Sequence, residues 1–200
     1  MTDPRTDRDY EANWRWVLAF AALAVVMRLI PRLPSMSDEA RAFWNLMPVG
    51  ALALFAGVRL RSVGAWLVPL ATMLVADLLL MGLLAKDNQP TFYSLTPVVY
   101  GSFLLYVLIG RSLRPSAAPW WVGVAALVGS LQFFLVTNFA FWARGTMYPL
   151  TAEGLWACYA AALPFFKNTL AGDLIFTAVF FGLHTAAVLV TERQKASQPA

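Results

Sequence analysis

Only one cysteine and one histidine occur in the 200 residues. A single cysteine excludes an intramolecular disulfide framework and any multi-cysteine metal site. The lone histidine, His184, lies inside an apolar run. It therefore completes no Ser/His/Asp set, and hydrolysis with a histidine base is not expected. The chain also lacks a GxxxxGKS loop, an HExxH pair and a DDxxD motif. ATP hydrolysis by this chain is accordingly not expected. Charge is scarce: 13% of residues are Asp, Glu, Lys or Arg, against about a quarter in a soluble domain. A secretory leader is not expected either. The first residues mix acidic and basic groups, and no small-residue cleavage site follows the first apolar run.

Apolar matter takes the place of charge. Hydrophobic residues make up 60% of the chain, and the mean hydropathy is +0.62. They are gathered in long runs separated by short charged patches, the pattern of a polytopic membrane protein. The net charge of +4 and pI near 9.5 therefore point to orientation in a bilayer, not to nucleic acid.

Residues 1–13 read as a polar tail, 14–190 as a single six-helix membrane domain and 191–200 as a second polar tail. The six expected spans are Trp14–Ile30, Leu46–Leu60, Val63–Leu84, Leu95–Gly110, Trp120–Trp142 and Asn168–Val190. The second is short, and Pro48 suits its first turn. Gly154–Phe166 is apolar but shorter than the ~17 residues a spanning helix needs. It reads as a helix lying in or dipping into the interface and broken by Pro164, with a seventh short span as the other reading. The fold class expected is an all-α integral membrane protein with both termini cytoplasmic. On that orientation the inner segments hold nine of the lysines and arginines and the outer segments six. The two inner loops each carry two arginines and no acid, and the basic residues Arg59, Arg61, Arg111 and Arg114 read as topology anchors. The three outer loops are longer and mix both signs, which suits capture of a solute from outside.

Ionisable groups within apolar runs are costly and usually face the bundle interior or a water-filled cavity. "ALPFFKNTLAGDLIFTAVFFG" carries Lys167, Asn168 and Asp173. Thr169, Asp173, Thr177 and His184 recur on one helical face. Asp77 in the third run, Asn138 in the fifth, Arg28 at the end of the first and Lys167 at the start of the sixth all fall at a similar outward depth. Two readings follow: a polar cavity open to the outside, or ion pairs that lock the bundle, with Asp77 and Asp173 held by Arg28, Lys167 or Arg144. As a cavity, Asp77, Asn138, Asn168 and Asp173 would line it, while Arg144 and Lys167 would contact an anionic group. Trp44, Tyr93 and Tyr148 would close the loops over a ligand. The outer aromatics also read as an interfacial belt. Ala53/Gly57, Ala125/Gly129 and Ala178/Gly182 are small-xxx-small pairs that permit close helix contact. Cys158 and His184 are the only candidates for a metal.

The strings "PVGALALFAG", "FFLVTNF" and "ALPFFKNTLAGDL" resemble a family of uncharacterised bacterial membrane proteins of the DUF6580 type, labelled as a putative transport family. The resemblance covers roughly residues 24–184. That family in turn resembles the substrate-binding S components of energy-coupling factor (ECF) vitamin transporters. The likeness implies an S-component-like six-helix bundle in the bacterial inner membrane. Its ligand site would lie near the outer face, under the loops after helices one, three and five. It implies a vitamin-like small molecule as ligand, cobalamin included, with no covalently bound cofactor and no nucleic acid. It also implies a transmembrane coupling subunit and ATPases as partners. One type of solitary B12-binding protein in this group ligates cobalt through a cysteine near the end of helix three. Here that stretch reads "ADLLLMGLLAKDN", so cobalt-thiolate chemistry is not implied. Two other classes of function stand beside uptake. One is an integral-membrane enzyme using Cys158 as nucleophile or ligand. The other is a structural subunit whose polar stripe only holds helices together.

Overall fold

The computed structural model describes residues 12, 14–30, 46–60, 62–83 and 92–197. Among them are six α-helices and no strand: α1 (Trp14–Leu29), α2 (Val49–Arg59), α3 (Gly64–Leu83), α4 (Thr96–Arg111), α5 (Pro119–Ala143) and α6 (Ala152–Ala196). Cross-contacts fix their directions. Arg28 at the end of α1 meets Asp77 well along α3, and Trp14 at its start lies against Gly64, so α1 and α3 run the same way. Ser130 meets Asp173, and the Asn138 carbonyl meets Cys158, so α5 and α6 are antiparallel neighbours. Gly50 lies against Asp173, and Arg59 reaches Thr185. Helices α2 and α6 are therefore parallel. The bundle runs up and down throughout, and the start of α1 and the end of α6 share one end.

Helix α2 is the hub. All eleven of its residues are buried, and it packs against each of the other five helices. A helix that is apolar all round belongs inside a protein. "VGALALFAGVR" adds small residues that let neighbours approach. Gly57 and Gly110 bring the α2 and α4 backbones together so closely that a Cβ on either would strike the backbone of the other helix. Phe20, Phe55 and Phe180 form the aromatic centre, with Phe20 stacked on Phe180 at 4.0 Å. Of the expected small-residue pairs, Ala53/Gly57 and Ala125/Gly129 pack inside the bundle, whereas Gly182 faces open space.

Among the described residues, three helices are long and apolar enough to cross a membrane: α3, α5 and α6. At about 1.5 Å per residue, the eleven residues of α2 extend only ~16 Å. Many exposed side chains are large and apolar, Leu67, Leu78, Leu127, Phe139, Ile175 and Leu183 among them, as contact with lipid requires.

One expectation at the C-terminal end is corrected. The segment 154–166 is not a separate interfacial helix, and Pro164 does not end it. Helix α6 is continuous over 45 residues with Pro164 inside. Contacts to α5 hold both flanks of the proline: the Tyr159 hydroxyl donates to the Leu135 carbonyl at 2.9 Å, and Phe166 packs on Phe134. The polar stretch after 190 also stays helical to Ala196, because "TERQKA" is composed largely of good helix formers. Arg59 also makes contacts within the bundle. It is buried, donating to the Pro115 carbonyl and stacking over Phe181 at 5.1 Å. It clamps the α4–α5 connection, besides any role in orientation. Arg111 does similar work, donating to the Ser62 carbonyl at 2.7 Å.

Candidate functional site

The carboxylates Asp77 and Asp173, within apolar helices, are both buried, each 2% exposed, and they sit in different surroundings. Asp77 on α3 faces α1 and α4. The Arg28 guanidinium donates to its Oδ1 through Nε at 3.1 Å and Nη2 at 2.6 Å, and the Tyr100 hydroxyl donates to Oδ2 at 2.8 Å. Arg28 also reaches Met47, just before α2. This ion pair ties three helices and the entry to the hub.

Asp173 on α6 faces α4, α5 and α2. The Tyr106 hydroxyl and the Ser130 hydroxyl both donate to its Oδ2, the latter at 2.6 Å. No basic side chain among the described residues is paired with it. Two glycines make the room. A methyl on Gly50 would run into Oδ1 of Asp173, and one on Gly129 would run into the Tyr106 ring. The tyrosines and Ser130 complete both clusters, and sequence reading did not single them out. Tyrosine within an apolar run is the signal that was present, since a buried phenol seeks a partner.

Neither carboxylate lines the cleft seen between α5 and α6. That cleft, about 220 Å³, is bounded by Phe133, Phe134, Thr137 and Asn138 on α5 and by Ala162, Phe165, Phe166 and Thr169 on α6. It lies toward the C-terminal end of α5, the end expected to be outside. Of the expected site residues, Asn138 is in the cleft. Asn168 is half-buried, one position from Thr169. Lys167 and Arg144 are exposed and do not line it. Tyr148 packs on Phe141 in the α5–α6 connection, where the Trp142 indole donates to the Pro149 carbonyl at 2.9 Å. Tyr93 is exposed ahead of α4. Trp44 lies outside the described residues.

The two candidate metal-binding residues, Cys158 and His184, lie far apart along α6. Cys158 is buried, its thiol donating toward the Asn138 carbonyl at 3.6 Å. His184 is buried between Trp16 and Phe55. Among the described residues no three His, Cys, Asp or Glu side chains converge as metal ligands.

No curated protein and no solved structure matches the chain. One family model matches residues 9–197, nearly the whole length. The chain thus belongs to the family of unknown function DUF6580.

Proposed function

We propose that this is a membrane substrate-binding protein that takes up a vitamin-like small molecule from the outer face of the bacterial inner membrane. The observation that carries this reading is the α5–α6 cleft: aromatic walls with a few polar atoms, at the bundle end opposite both termini. Concave, mostly apolar sites with a few placed polar groups are the usual form of small-molecule pockets. All six helices cross the bilayer in this reading, in the manner of an ECF S component. Helix α2 is shielded from lipid by the other five, so its shortness carries no exposed backbone. A transmembrane coupling subunit with its ATPases would supply the energy, since the chain has no nucleotide loop of its own.

In this reading Asn138 touches the ligand, and Asp173 belongs to the frame of the site through Tyr106, which packs on the wall residue Phe133. A cleft of about 220 Å³ is below the ~300–1,000 Å³ of drug-sized pockets. It suits a one- or two-ring compound; a corrinoid would need further room beneath the outer loops. The test is a thermal-unfolding titration of the detergent-purified chain against a panel of vitamins, cobalamin included. A ligand at ~100 times its Kd adds about 2.7 kcal/mol, which raises the midpoint visibly. A flat response to the whole panel would overturn the proposal.

A second reading, a structural membrane subunit, draws on the protein donors that hold both carboxylates. It predicts no ligand response at all.

A further inference from the structure

The polar atoms of the α5–α6 cleft have a bias of kind. The Thr137 hydroxyl donates to the Phe133 carbonyl at 2.7 Å, and the Thr169 hydroxyl donates to the Phe165 carbonyl at 3.2 Å. The Asn138 amide donates to the Phe134 carbonyl at 2.8 Å, which also fixes which end of the amide is nitrogen. A threonine hydroxyl has one proton to give, and an asparagine amide has two. With the hydroxyl protons and one amide proton spent on helix carbonyls, lone pairs remain on three side-chain oxygens, beside a single N–H.

The walls add to this. Phe134 and Phe166 pack at 4.7 Å. Phe133 is braced from behind by Phe103 at 5.3 Å and by Tyr106, the donor to Asp173. Ring faces carry negative charge density and attract cations. Among the described residues no basic side chain lines the cleft, so a carboxylate or phosphate would meet oxygens, aromatic rings and a single amide N–H there.

We infer that the α5–α6 cleft selects a small planar compound rich in N–H donors, cationic or neutral, and rejects anionic groups. The inference rests on the substrate-binding reading and narrows it. It also reassigns Lys167 and Arg144: they do not supply an anion contact within this cleft.

Two probes of matched shape test it. The full chain, purified in detergent, is titrated with 4-fluorobenzamidine and with 4-fluorobenzoate, and fluorine NMR line broadening is read. The amidine is expected to bind saturably and at least about tenfold more tightly, a difference one or two unmatched hydrogen bonds produce. Asn138→Leu and, separately, the near-isosteric Thr169→Val should each weaken it by about fivefold or more. Unchanged melting midpoints for the two variants show that the fold has survived. If the benzoate binds as well or better, the donor preference is overturned while the cleft stands as a site. If both probes partition equally and without saturation, the cleft is a lipid-filled groove and the inference fails. Amidine binding unaffected by either variant also overturns it, because the probe then sits elsewhere. The vitamin titration is read independently: a vitamin response with no amidine preference leaves the uptake reading standing and removes only this inference.

Discussion

Arg28 and Asp77 illustrate what one residue does in this bundle. Arg28 is 23% exposed and Asp77 is 2% exposed, so losing the arginine strands a carboxylate in an apolar interior. Removing one partner of a buried pair typically costs about 3–5 kcal/mol, whereas replacing both by apolar groups is often nearly neutral. Arg28→Leu should therefore lower the melting midpoint in detergent sharply, and the double change Arg28→Leu with Asp77→Leu should recover most of the loss. A double variant as unstable as the single would show that the pair does more than neutralise charge. Asp173 behaves differently because both of its donors address one oxygen. An amide oxygen can accept both bonds, so Asp173→Asn should leave the midpoint nearly unchanged. Asp173→Leu strands the Tyr106 and Ser130 hydroxyls at about 1–3 kcal/mol each and should lower it clearly. Gly50→Ala should do likewise, by forcing a methyl against Oδ1. An Asp173→Asn variant that keeps its midpoint but loses ligand binding would move Asp173 from the frame of the site into the site itself.

Helices α5 and α6 form the element on which the functional reading depends. Their hairpin is closed at the 144–151 connection and tied along its length by Tyr159, Cys158 and the Phe134–Phe166 contact. Pro164 removes one backbone hydrogen bond within α6, and the hairpin holds in spite of it. Pro164→Ala should therefore raise the thermal midpoint without changing helix content by circular dichroism. A drop in midpoint would mean that the proline is needed for the shape of the cleft. The extents of α1, α3, α4 and α5 were readable within about two residues, because apolar runs and Pro or charged boundaries are local signals. The joining of 152–167 to the sixth run was not, because a local rule, proline as breaker, was overridden by contacts from another helix. The role of α2 was half visible: its small residues and short length were plain, but its central position depends on how five other helices close around it. Asn138 and Thr169 could be picked out as polar groups at the outer depth. Their sharing of a cleft walled by phenylalanines depends on α5–α6 register, which periodicity within one helix does not carry. Asp77 and Asp173 were visible as anomalies, while their hydroxyl donors came from runs that read simply as apolar.

Across the whole molecule, the up-and-down order places the start of α1 and the end of α6 together, where Trp16 meets His184 and Ala12 donates to the Arg59 carbonyl. Reporter fusions at the two termini should therefore report the same side of the membrane, and that side should be cytoplasmic. Opposite sides would break the six-span reading. The central claim concerns what the opposite end captures, and the most direct measurement is mass spectrometry of the detergent-purified chain from cells grown in rich medium, wild type beside Asn138→Leu. The account predicts a near-stoichiometric small ring compound in the wild type, strongly depleted in a variant that is still folded. A wild-type protein that carries no small molecule, or one retained equally by the variant, would contradict it.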